Sequence, residues 1–269
     1  MFRRRSKRVL PGFRLSMGLT LVYLSLLVLI PFAGLILKVG GMTWNQYWSI
    51  ITKPDILEAF GLTFGVSFLA AGINAFFGFI VAWVLVRYKF PCRRLVDAMV
   101  DLPFAMPTAV SGVALLTLYK RLGQLIGVKI IFTEWGLLVA LTFIGLPFVV
   151  RTLQPAIQDI EKELEEVSAS LGANRWQTFW RVIFPTLRPA LITGFAMAFA
   201  RALGEYGSVV FIAGTGLHIV SIEIVKNLQS QEDQPIAIVI ATTMLIASFV
   251  ILFCINFMQI WMNRRYNDE

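Results

Sequence analysis

Apolar residues fall in long runs, at about 17–37, 59–86, 98–118, 136–154, 190–213 and 236–261, and polar residues gather between them. A helix rising 1.5 Å per residue needs roughly 20 residues to cross the roughly 30 Å hydrocarbon core of a bilayer. The pattern therefore predicts an all-α, polytopic membrane protein with six spans in one domain over 17–261. A basic segment, 1–16, precedes the domain and a short tail, 262–269, follows it. The longest polar interruption, 154–189, lies between the fourth and fifth runs. The first run is about 20 residues long with no small-residue cleavage pattern, so it is expected to remain as a span rather than act as a removable signal.

Composition agrees with that reading: the 269 residues are 57% hydrophobic, with a mean hydropathy of +0.73, above the balance usual in soluble domains. The net charge of +8 does not point to nucleic acid, because the basic residues flank apolar runs. With an even span count both termini share one side. That side holds seventeen basic residues: Arg3, Arg4, Arg5, Lys7, Arg8, Arg14, Arg87, Lys89, Arg93, Arg94, Arg151, Lys162, Arg175, Arg181, Arg188, Arg264 and Arg265. The other holds six, Lys38, Lys53, Lys120, Arg121, Lys129 and Lys226, and Arg201 lies within a run. The positive-inside rule places the termini in the cytoplasm.

Small residues recur at helical spacing in two runs: Gly65, Ser67, Ala71, Gly72, Ala75 and Gly78 in the second, and Ala196, Ala200, Gly204 and Ser208 in the fifth. Such stripes let helices approach closely, either within one bundle or between subunits. Trp44, Tyr47 and Trp48 suit a short interfacial helix between the first two spans. Cys92 and Cys254 form no disulfide framework, and His218, on an external loop, reads as solvated rather than as a metal ligand.

The 154–189 segment reads as two short helices about a glycine. Residues 160–171 are acidic helix formers, Gly172 suits a helix end, and Asn174 with Gln177 resembles a capping box that opens a second helix over 175–183. Pro185 and Pro189 are expected to limit its continuation. The string Glu166-Val-Ser-Ala-Ser-Leu-Gly172, nine residues, then Val182-Ile-Phe-Pro185 resembles the EAA signature of ABC importer permeases, with Val167, Ser168, Val182 and Phe184 departing from the usual residues. The resemblance implies a type I importer permease fold and a coupling helix docked in a cleft of a cytoplasmic ABC ATPase dimer. Glu166, Ser168, Ala169, Leu171, Gly172, Ala173 and Pro185 would be its coupling residues. The chain has no Gly-x-x-x-x-Gly-Lys-Ser/Thr phosphate loop, so it is expected to bind no cofactor, with ATP and Mg held by the partner ATPase.

Two further stretches resemble the sulfate/molybdate branch of these permeases, most closely the T-type subunits of sulfate/thiosulfate importers. In Asp97-Ala-Met-Val-Asp-Leu-Pro-Phe-Ala-Met-Pro-Thr-Ala-Val-Ser-Gly112, Pro103 and Pro107 free carbonyls that should face protein or water rather than lipid. They mark either a structural kink or, with Thr108 and Ser111, a translocation segment. In Phe199-Ala-Arg-Ala-Leu-Gly-Glu-Tyr-Gly207, Arg201 and Glu205 lie four apart on one helical face and can pair. They are either a structural ion pair or a pathway or gate, where a guanidinium suits an oxyanion. The resemblance implies a heterodimer with a W-type permease, an extracytoplasmic sulfate/thiosulfate-binding protein, and a bacterial-type inner membrane as the location. Lipid is the remaining partner expected, and nucleic acid is not one. A homodimeric molybdate or tungstate permease is the alternative within the branch. An intramembrane enzyme would need a nucleophile with its base, or a metal cluster, inside the spans, and no catalytic or metal-binding residue is predicted. A channel or passive scaffold would have no use for the coupling loop.

Overall fold

The computed structural model describes residues 12–127, 130–214 and 216–267, and among them every regular element is a helix. The basic residues expected at 3–8, Lys129 and the last two tail residues lie outside the described residues. The chain divides into two units, Met1–Ile50 and Ile51–Glu269.

In the first unit, α1 (Phe13–Leu24) and α2 (Ile30–Gly40) are joined by a π-helical turn, Ser25–Leu29. The turn ends two residues before Pro31. Proline offers no amide and its ring collides with the carbonyl four residues back, so a widened turn lets the helix run on. The Ile30 amide accordingly reaches back five residues to the Ser25 carbonyl. No residue in the most apolar window of this helix is buried, as befits a surface solvated by lipid. Helix α3 (Trp44–Ile51) follows. It opens on a reciprocal cap in which Thr43 Oγ1 accepts from the Gln46 amide and Gln46 Oε1 from the Thr43 amide. Trp44, Tyr47 and Trp48 stack on its first turns, so the short aromatic helix expected from the sequence is present.

The second unit runs through α4 (Pro54–Arg87), α5 (Arg93–Val100), α6 (Leu102–Ala105), α7 (Thr108–Ile126), α8 (Glu134–Gln158), α9 (Lys162–Ser170), α10 (Arg175–Thr178), α11 (Phe184–Leu203), α12 (Val209–Ala213), α13 (Val220–Leu228) and α14 (Gln234–Asn267). Its centre is α8, 61% of whose apolar window is buried. Val149 of α8, wholly buried, is lodged between two glycines. A Cβ on Gly78 of α4 would stand 2.8 Å from its Cγ1, and one on Gly194 of α11 would stand 3.1 Å from its Cα. Large side chains at either glycine would push the three helices apart. Four residues earlier, Asn74 meets Gly145, so the contact advances in the same direction along both helices and α4 and α8 are parallel. The connection between them must therefore return across the bundle, and the described part of it contains α7, whose 19 residues measure about 28 Å.

Five stretches among the described residues are long and apolar enough to cross a membrane: Leu15–Gly40, Pro54–Arg87, Glu134–Gln158, Arg175–Leu203 and Gln234–Phe257. Two expected boundaries need correction. The run at 98–118 is not one helix, because Asp101 and the extended Met106–Pro107 step divide it among α5, α6 and α7. The run at 190–213 breaks after Leu203 and resumes as α12. Conversely, Pro185 and Pro189 do not halt the second helix of the 154–189 segment. A π-helical turn, Phe179–Ile183, ends two residues before Pro185, the Phe184 amide reaches the Phe179 carbonyl, and α10 flows into α11.

The small-residue stripes also separate by face. In α4, Ser67, Ala71 and Gly78 are buried within the bundle, whereas Gly65 and Gly72 are exposed with nothing near them in this chain. In the second stripe, Ser208 is buried and Gly204 exposed.

Candidate coupling hairpin and intramembrane charge pair

The hairpin between α8 and α11 is built by two local motifs. At the end of α9, Gly172 has φ +83°, the left-handed conformation glycine adopts without steric cost. Its amide donates to the Ala169 carbonyl (2.9 Å) and the Ala173 amide to the Ser168 carbonyl (3.0 Å), the paired bonds of a Schellman end. The chain restarts at Asn174, whose Oδ1 accepts from the Gln177 amide (2.8 Å) while Gln177 Oε1 accepts from the Asn174 amide (2.9 Å). The buried hydroxyls of Ser168 and Thr178 lie 3.0 Å apart and tie the two arms together.

Both arms are seated on the end of α4. Arg87 pairs with Glu165 at 2.9 Å and lies over the Trp83 ring, while Phe179 packs edge-on against Trp83 and Phe79. At 34 residues α4 is about 50 Å long, more than a bilayer core requires, and the surplus carries this seat. Of the predicted coupling residues, Glu166, Ala169, Leu171 and Gly172 are exposed, Ser168 is buried in the hairpin, Ala173 is half-buried, and Pro185 sits in the first turn of α11. Leu171 is 83% exposed, and Val167 and Trp176 are exposed as well.

The other predicted residues meet elsewhere, where two broken helices face each other. Beyond the α11 break, a Cβ on Gly207 would collide with Thr108 Oγ1 and lie 3.2 Å from the Ala109 amide nitrogen. A Cβ on Gly112 would lie 2.7 Å from the Ser208 Cα. The structure thus brings Pro107, Thr108 and Ser111 at the start of α7 to the segment that carries Glu205; Ser111 is buried, and so is Pro103 at the start of α6. Arg201 Nη1 donates to Glu205 Oε2 at 2.6 Å. The Ser208 amide and hydroxyl donate to Oε1, and Ser221 Oγ donates to the Glu205 carbonyl. Glu205 is 1% exposed and engaged at both oxygens, whereas Arg201 keeps 30% of its side chain exposed. The carboxylate fixes the break after α11, and the guanidinium carries the charge that an approaching anion could meet.

A third cluster lies at the far end of α8. Arg151 donates from Nε to Asp101 Oδ1 (2.8 Å), from Nη1 to Asp97 Oδ1 (2.7 Å) and Gln154 Oε1, and from Nη2 to the Asp97 carbonyl (3.0 Å) and Asp101 Oδ2. A hydrogen bond from Gln154 Nε2, aided by Arg151, holds the Asp97 carboxyl below the ordinary carboxylate range.

The family model described as binding-protein-dependent transport system inner membrane component matches residues 74–268. The chain belongs to this family. It is 43% identical to the sulfate transport system permease protein CysT of Escherichia coli (strain K12), covering 98% of this chain and 99% of that protein. It is 45% identical to the protein of the same name from Synechocystis sp. (strain ATCC 27184 / PCC 6803 / Kazusa), over 93% of this chain and 90% of that one. Among solved structures it resembles a chain of a bacterial ABC transporter involved in the import of the acidic polysaccharide alginate, with a TM-score of 0.76 at 17% identity over 92% and 95% of the two chains. A chain of the inward-facing MetNI methionine ABC transporter gives 0.59 at 17% identity, over 83% of this chain and 99% of that one. At those identities the likeness is one of fold.

Two features of this permease escape sequence reading. His218 is not a freely solvated side chain: its Nδ1 lies 2.9 Å from Oε1 of the buried Glu223. The Arg151 cluster leaves a trace in sequence, since Asp97 and Asp101 are four apart and Arg151 and Gln154 three apart, each pair on one helical face. Nothing local indicates that the two faces meet across some fifty residues.

Proposed function

We propose that this chain is the T-type permease subunit of an ATP-driven sulfate/thiosulfate importer in a bacterial-type inner membrane. The observation that carries the reading is near full-length identity of 43–46% to proteins named as sulfate transport permeases. The Glu166–Ala173 hairpin supports it, because its capped tip exposes Leu171 and Val167 beside the acidic Glu166 to a cytoplasmic partner. An ATPase dimer carrying ATP and Mg receives that tip, a W-type permease completes the pathway, and an extracytoplasmic binding protein delivers the anion. This chain hydrolyses no ATP itself. Closure of the ATPases displaces the hairpin, α4 and α8 carry the displacement, and the break near Arg201 and Thr108 opens or shuts the path. The reported relatives are named for sulfate, which weighs against molybdate or tungstate.

The test is uptake of labelled sulfate into vesicles holding the assembled transporter, with ATP on the ATPase side and binding protein on the other. Uptake that needs both, and that excess thiosulfate but not molybdate suppresses, is the expected result. Uptake indifferent to ATP would sink the reading.

A further inference from the structure

The saturation of Arg151 has a mechanical consequence. A guanidinium has five N–H donors in a rigid planar fork, and all five are taken up by Asp97, Asp101 and Gln154. Four of the five acceptors belong to the elbow formed by α5 and α6; the fifth lies on α8 itself. The rest of the elbow's attachment to the bundle is Gln154 Nε2 donating to Asp97, the buried Val100 and Pro103, and Phe104 against Phe148, while Leu95, Met99 and Leu102 are exposed. Its C-terminal end leads directly into Pro107 and Thr108, where α7 meets Gly207. In the other direction, α8 runs on from Arg151 to Gln158, and the hairpin helix α9 begins at Lys162.

We propose that Arg151 is a positioning residue for transport, a fork that fixes the α5–α6 elbow to α8 and so passes movement of the cytoplasmic hairpin to the helix break at Pro107–Thr108. The proposal rests on the permease reading above. The side chains of Arg151, Asp97 and Asp101 are 31%, 43% and 47% exposed. The fork therefore forms without the full desolvation cost that a wholly buried pair carries, and five bonds from one planar group hold the elbow as a unit. Its geometry is specific to arginine, since a lysine ammonium keeps the charge but cannot grip Asp101 with two parallel bonds while holding Asp97.

The experiment compares wild type, Arg151→Lys and Asp101→Asn in the assembled transporter in vesicles. It measures membrane abundance, ATPase copurification, ATP hydrolysis and sulfate uptake. With abundance and copurification unchanged, Arg151→Lys is expected to raise the ATP hydrolysed per sulfate imported by roughly threefold or more. Asp101→Asn, which keeps the shape and one acceptor, should raise it less. A wild-type ratio in both variants, or loss of uptake and hydrolysis in strict proportion to abundance, would overturn the proposal and leave Arg151 as a brace. Wild-type uptake independent of ATP would instead overturn the permease reading, and this inference with it.

Discussion

With both oxygens of Glu205 occupied, Arg201 compensates a carboxylate that has no access to water. Removing one member of such a pair costs more than removing both, because the remaining charge is stranded. Arg201→Ala should therefore destabilise the protein by on the order of 2 kcal/mol, a figure reduced for the partial exposure of the arginine. Arg201→Ala with Glu205→Gln should recover much of that loss, since the amide oxygen can still accept from the Ser208 amide. The measurements are membrane abundance and thermal unfolding in detergent. Transport separates the two roles left open by the sequence: a stable double variant that imports normally makes the pair structural, and a stable one that imports nothing gives Arg201 a place in the pathway. Gly207 tests the facing break. Its added methyl in Gly207→Ala meets Thr108 Oγ1, and overpacking of this kind costs about 1–3 kcal/mol. Thr108→Ala in the same chain should restore part of the unfolding temperature, and absence of any rescue would mean that the two segments do not pack as described.

The hairpin shows how far a single element can be made and broken locally. Gly172 has open space around the position of its missing Cβ, so Gly172→Val meets no neighbour within this chain, and its cost comes from the left-handed backbone, about 1–2 kcal/mol. That strain distorts the tip beneath Leu171 while leaving the spans intact. The variant is expected to insert at normal abundance, to lose ATPase in copurification and to lose uptake in parallel; full retention of both would remove the hairpin from coupling. The hairpin could be read from the sequence because its determinants are local: a glycine at a helix end, and Asn174 and Gln177 three residues apart. The helix breaks were harder to place. Pro103 and Pro107 announced a disturbance, but hydropathy continues across them and hides the division into α5, α6 and α7. At Pro185 sequence and structure differ in the opposite sense, because a π-helical turn absorbs the proline and lets an expected stop become a continuous helix. After Leu203 the break is secured by Glu205 accepting from Ser208 and Ser221, and the second of these partners is remote in sequence.

Crossing number is a property of the whole molecule, and the packing of α4 on α8 constrains it. Gly78 meets Val149 and Asn74 meets Gly145, so the two helices run in the same direction, and the chain between them must cross once to begin α8 on the side where α4 began. Helix α7 is not apolar enough to stand among the five membrane-length stretches, yet its 19 residues match a bilayer core at about 28 Å, and adding it makes six crossings. An even number returns the chain to its starting side. By the positive-inside rule, seventeen basic residues against six predict that this side, with the α9–α10 hairpin, faces the cytoplasm. A reporter active only in the cytoplasm should therefore be active when fused after Glu269 and silent when fused at Ser230, between α13 and α14. Activity at Ser230 with silence at Glu269 would invert the molecule and put Leu171 and Trp176 on the face no ATPase reaches. Activity at both sites would mean that α14 does not cross, despite a mean hydropathy of 2.8 in its apolar window.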